Sequence, residues 1–128
     1  MNISEAARIS AVSQRMIRHY EKIGLIPAPA RRDRGFRIYA EGDVQRLRFI
    51  ANARDLGFPI EEIRSLLALW NNRRRSSAEV KALARARAEE LGRKAAALQA
   101  MRVTLLELAE RCHGNELPDC PILDRLAG

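Results

Sequence analysis

The sequence predicts a mainly α-helical chain: an N-terminal winged helix-turn-helix, then a long dimerisation helix, then a C-terminal loop closed by a short helix. Three observations carry this expectation. Two short amphipathic segments near the N-terminus are separated by a brief turn, and the second has a basic outer face. A run from about residue 77 to 111 contains no Pro and repeats apolar side chains every seven positions. The chain's two cysteines, Cys112 and Cys120, follow that run with seven residues between them.

At 128 residues, 47% hydrophobic and 30% charged, the chain has the composition of one folded domain with an appendage. No stretch reaches the roughly 18 apolar residues of a membrane span, and MNISEAARIS lacks the apolar centre of a signal peptide. A cytoplasmic protein without membrane business is expected. The formal charge of +7 is unevenly placed: residues 1–75 hold 15 Lys and Arg against 8 Asp and Glu, whereas residues 76–128 hold 8 against 8. An excess confined to one end points to a polyanion partner for that end, and double-stranded DNA is the expectation.

Within the head, ISEAAR reads as a first helix and SQRMIRHYEKIG as a second, with Ser13 as its N-cap and Gly24 as its stop. Met16, Ile17, Tyr20 and Ile23 share one face, and Arg15, Arg18, His19 and Lys22 the opposite one. A helix with that outer face suits base edges and phosphates. In LIPAPARRDRGFRIYAEGDV two prolines interrupt helix, and Phe36, Ile38 and Tyr39 favour a short strand around Gly35. A β-hairpin wing is predicted. Arg31, Arg32, Arg34 and Arg37 crowd it at a density suited to phosphate contact. Two further helices follow, from about 42 to 57 and 59 to 70, with Val44, Leu47, Ile50, Ala51, Ile63, Leu66, Leu67 and Trp70 expected as core.

Ser76 and Glu79 form a capping box that opens the long helix, roughly 50 Å if it runs to residue 111. Ala84, Leu91, Leu98, Leu105 and Cys112 recur every seven residues, with Met101 and Leu108 in companion positions, although Arg87 and Lys94 break that second seam. A lone helix would leave the stripe wet, so a homodimer is expected, its long helices paired as an antiparallel coiled coil. The organisation is then 1–75 for the DNA-binding head, 76–111 for the dimerisation helix and 112–128 for the loop and last helix.

Cys120 precedes Pro121, which suits the first position of a helix, and so becomes an N-cap facing the positive end of a helix dipole. Two thiolates with little else around them suit a soft monovalent ion. Zinc normally takes four ligands, and His113 and Asp119 would both have to turn inward to supply them. Cu(I) fits best, with Ag(I) and Au(I) as substitutes. Zinc, or oxidation of the pair, remains the alternative; an iron–sulfur cluster wants four cysteines. No catalytic triad or paired carboxylates mark an enzyme.

The stretches NISEAARISAVSQRMIRHYEKIGLI, RRDRGFRIY and RDLGFPIEEI, in this order, resemble the MerR family of transcription regulators over the full chain. CHGNELPDCPIL resembles the loop of its copper-responsive branch, the CueR and HmrR regulators. The resemblance implies Arg15, Arg18, His19 and Tyr20 on the recognition helix, and Arg31, Phe36 and Arg37 on the wing, as DNA contacts. It implies Cys112 and Cys120 as metal ligands, with Ser77 near the metal site of the partner subunit. It further implies that metal binding distorts promoter DNA so that RNA polymerase can engage it. Ala11 departs from the family's turn Gly, His19 from an aromatic, and Phe36 from a Tyr.

Overall fold

The computed structural model describes residues 1–29 and 31–128, with the side chains of residues 31 and 32 outside the description. Six helices and one hairpin occur among them: α1 (Ile3–Ser10), α2 (Gln14–Lys22), β1 (Arg31–Asp33), β2 (Phe36–Ile38), α3 (Glu41–Asp55), α4 (Ile60–Asn71), α5 (Ser77–Arg111) and α6 (Pro121–Ala127). The mainly helical architecture matches the expectation. Two compact units divide the chain, Met1–Lys81 and Ala82–Gly128.

Local chemistry starts and stops the helices of the first unit. Asn2 caps α1 by accepting from the Glu5 amide at 2.9 Å, and Ser13 caps α2 by accepting from the Met16 amide at 3.1 Å. Asp43 reaches back from the first turn of α3 to accept from the Ala40 amide at 2.8 Å. Between α1 and α2 the chain turns through Ala11, which adopts a left-handed conformation at φ 60 and ψ 24. The hairpin is antiparallel, pairing Arg31 with Ile38 and Asp33 with Phe36. Arg34 and Gly35 form its two-residue turn, both at positive φ, the geometry whose twist matches paired strands.

Ala6, Ile17, Leu47, Ile50 and Ile63 are fully buried at the centre of the first unit, joined by Tyr20, Tyr39, Val44 and Leu67. Trp70 departs from its expected place. It stacks on Phe49 at 4.7 Å between ring centroids but stays 40% exposed, at the end of α4 where the core has run out. Ala51 and Leu66 are half-buried.

In the second unit, α5 leaves Leu91, Leu98, Met101 and Leu105 exposed, Leu98 at 64%. The seven-residue stripe is therefore real and uncovered in a single copy. Arg87 and Lys94, which interrupt the companion seam, both pair with Glu90, at 2.8 and 3.2 Å. Lys94, and then Arg87, hold the Glu90 carboxyl below its usual range. No helix among the described residues is long and apolar enough to cross a membrane.

Candidate nucleic-acid interface and metal loop

The apolar face of α2 decides what its other face can do. Burial of Ile17 and Tyr20 turns Arg15, Arg18, His19 and Lys22 outward, where all four are exposed. Tyr20, expected beside them as a DNA contact, is 3% exposed, its ring in the core because it falls three residues after Ile17 on the same helical face. An open cleft of about 1250 Å³ separates α2 from the wing, lined by Arg18, Lys22, Arg34 and Phe36 among others. Phe36, 75% exposed, projects from the wing. Arg31 begins β1, and its side chain lies outside the described residues.

Arg37, expected as a wing contact, is half-buried on β2. Its guanidinium is joined to Glu21 of α2, whose side chain is 3% exposed, and is thus engaged within the protein. The Tyr39 hydroxyl donates to the other Glu21 oxygen at 2.7 Å. Burial, and then this hydrogen bond, push the Tyr39 phenol up to about 12. Other arginines of the basic head are engaged too. Arg64 of α4 donates to the carbonyls of Gly24 and Ile23 at 3.0 and 3.2 Å, closing the end of α2, and Arg48 donates to the Ile9 carbonyl at 3.3 Å. Sequence reasoning missed Glu21 and Arg64. For Glu21 a signal existed: it lies four residues after Ile17, at the edge of a buried face where an acid demands a partner.

Cys112 follows the last residue of α5, its amide bonded to the Leu108 and Ala109 carbonyls at 3.2 Å, and Cys120 is the N-cap residue of α6. Both thiols are free and half-buried. Cys120 occupies the expected cap position, yet its side chain makes no capping hydrogen bond. Between them Gly114 takes a positive φ of 64, and Asn115 accepts from the Leu117 amide at 2.9 Å, which shapes the loop locally. His113 and Asp119 are exposed. Among the described residues no group of three or more His, Cys, Asp or Glu side chains is placed to hold a metal. What the loop offers is a pair of soft donors. Ser77 is the first residue of α5 and exposed, while Ser76 does the capping by accepting from the Ala78 amide at 3.1 Å.

The sequence matches the family model for MerR helix-turn-helix regulatory proteins over residues 1–69, and that for MerR DNA binding over residues 44–108. The chain belongs to the MerR family. It is accordingly a DNA-binding regulator of transcription and not an enzyme. Among MerR relatives, it is 52% identical over 127 residues to heavy metal-dependent transcription regulator 2 of Rhizobium meliloti, covering 99% of this chain and 86% of that protein. It is 41% identical over 128 residues to the regulator CueR of Salmonella typhimurium, covering 100% and 93%. The crystal structure of the transcription regulator PbrR691 from Ralstonia metallidurans in complex with lead(II) superposes with a TM-score of 0.85 at 34% identity, covering 98% of each chain.

Proposed function

We propose that this MerR-family regulator senses Cu(I) in the cytoplasm through Cys112 and Cys120 and activates copper-resistance or efflux genes. The observation that carries the metal reading is the donor set: two free, half-buried thiols, Cys112 just after α5 and Cys120 at the N-cap of α6, flank one short loop. Zinc and lead(II) call for more donors than that, whereas Cu(I), and Ag(I) or Au(I) as substitutes, accept two sulfurs. The relatives support a metal effector, one being named heavy metal-dependent and a structural neighbour holding lead(II).

The working unit is a homodimer, because the exposed stripe on α5 needs a mate and a second copy carries the matching one. Residues 1–75 form its DNA-binding head, 76–111 its pairing helix and 112–128 its sensor. Arg15, Arg18 and His19 reach bases and phosphates from α2, and Arg31, Arg34 and Phe36 contact the backbone from the wing. Metal binding orders the loop and, through the dimer, biases the heads toward a conformation that bends and untwists promoter DNA for RNA polymerase. A coupling of about 1–3 kcal/mol between the two sites suffices for such a switch.

Transcription in vitro from the promoter nearest its own gene, with Cu(I), Ag(I), Au(I), Zn(II), Hg(II) and Pb(II) added in turn, tests this. Activation by the monovalent ions is expected. Activation by a divalent ion with none by Cu(I) would replace copper as the effector.

A further inference from the structure

Glu21 poses a problem of charge. It lies on α2 and lines the cleft between that helix and the wing, the cleft proposed above to take DNA, yet it is an acid with only 3% of its side chain exposed. A carboxylate there repels phosphate and loses hydration, so DNA binding by itself disfavours it. Its partners explain its presence. Arg37 on β2 and Tyr39 just beyond it both bond to this one carboxylate, from sixteen and eighteen residues away. The wing otherwise consists of two three-residue strands whose turn and Phe36 stand exposed, and such a hairpin has little apolar packing to hold its angle.

We propose that Glu21, Arg37 and Tyr39 form a positioning set that fixes the distance between recognition helix and wing, and so the span of DNA backbone that one head grips. Arg37 acts through Glu21, and the phosphate contacts fall to the other cations of the cleft. Tyr39 anchors the set because its ring is in the core and its backbone pairs with Met1, the Tyr39 amide donating to the Met1 carbonyl at 2.6 Å.

The sign of one substitution separates this role from direct phosphate contact. Were Arg37 a DNA contact restrained by Glu21, Glu21→Gln would remove a repelling charge and release a cation, and affinity would rise. As a positioning defect, E21Q weakens binding roughly tenfold. Tyr39→Phe weakens it as well, although it changes no charge. The experiment measures binding of the full-length wild type, E21Q and Y39F, without metal, to a duplex covering the promoter nearest its own gene across a salt series. Melting curves and ¹⁹F spectra of fluorophenylalanine-labelled protein accompany it, Phe36 reporting the wing and Phe49 and Phe58 the interior. The expected result is cooperative melting, weaker binding, a shallower salt slope as wing contacts drop out, and a DNA-induced Phe36 shift that is reduced while the other two resonances hold. E21Q binding as tightly as wild type or more so, or an unchanged salt slope and Phe36 shift, overturns the proposal. Should E21Q melt below the assay temperature, Y39F, which keeps the Glu21 and Arg37 pair, decides by the same readouts, position 39 adding a fourth fluorine resonance that is assigned by its absence from the wild-type spectrum. Because no metal is added, the outcome is independent of the effector.

Discussion

Ala11 is held at φ 60, where a Cβ crowds the following carbonyl, in a turn that the MerR resemblance marks as a Gly position. Replacing it with Gly relieves that strain and adds unfolded-state entropy, so Ala11→Gly stabilises the head by a net of about 0.5–1 kcal/mol. A higher midpoint in urea or thermal melting checks it. Tyr39 makes a second prediction at this scale. Its phenol is raised from 10 to about 12 in the folded chain, so its contribution is fully present below pH 10 and is lost as pH rises through about 12. Alkaline unfolding monitored by circular dichroism should shift upward in Y39F relative to its own neutral-pH stability, since Phe has nothing to ionise. At the loop proposed to bind metal, Cys112→Ser or Cys120→Ser should leave a folded, DNA-binding protein without the copper activation proposed above, because a hydroxyl is too hard to replace a thiolate on Cu(I). Activation of either variant at wild-type copper levels would remove that cysteine from the site.

Among the elements, α2 and α5 each show one face satisfied and one waiting. On α2 the waiting face is cationic. Arg18→Ala should weaken operator binding by about 1–3 kcal/mol and relax base preference, whereas Arg31→Ala on the wing should weaken all sequences alike and lower the salt slope. Band-shift assays on the operator and on scrambled DNA separate the two. On α5 the waiting face is apolar. A charge at Leu98, the most exposed member of the stripe, should convert dimer to monomer at micromolar concentration, as read by sedimentation equilibrium. A Leu98→Glu protein that still sediments as a dimer would place the pairing surface elsewhere.

At the scale of the whole molecule, the proposed switch joins a sensor to a DNA-binding head across two copies of the chain. Ser77 is where that expectation becomes measurable. Ser76 already caps α5, so a purely structural Ser77 could become Cys at a cost of only a few tenths of a kcal/mol. If the partner's loop lies beside it, as the MerR resemblance implies, Ser77→Cys adds a third sulfur, and Hg(II) or Zn(II) should then bind more tightly and activate while Cu(I) still binds. Metal titration and transcription with each ion check this, and unchanged affinity for both divalent ions would place Ser77 away from the site.

By itself the sequence determined the order of helices, the hairpin, the unpaired stripe and the two candidate ligands. Each is written in short-range terms: Ser13 caps a turn three residues on, the stripe repeats every seven, and thiol chemistry belongs to the residue wherever it folds. Only the tertiary structure decided which polar groups face outward. Tyr20 and Arg18 sit two positions apart on one helix, yet one is core and the other lines the cleft, while Arg37 shares a cationic hairpin with Arg34 and is bound to an acid sixteen residues earlier. A guanidinium carries the same charge in either place. Its partner is set by what the folded chain brings within about 3 Å, and burial makes that choice binding because an unpaired carboxylate out of water costs several kcal/mol.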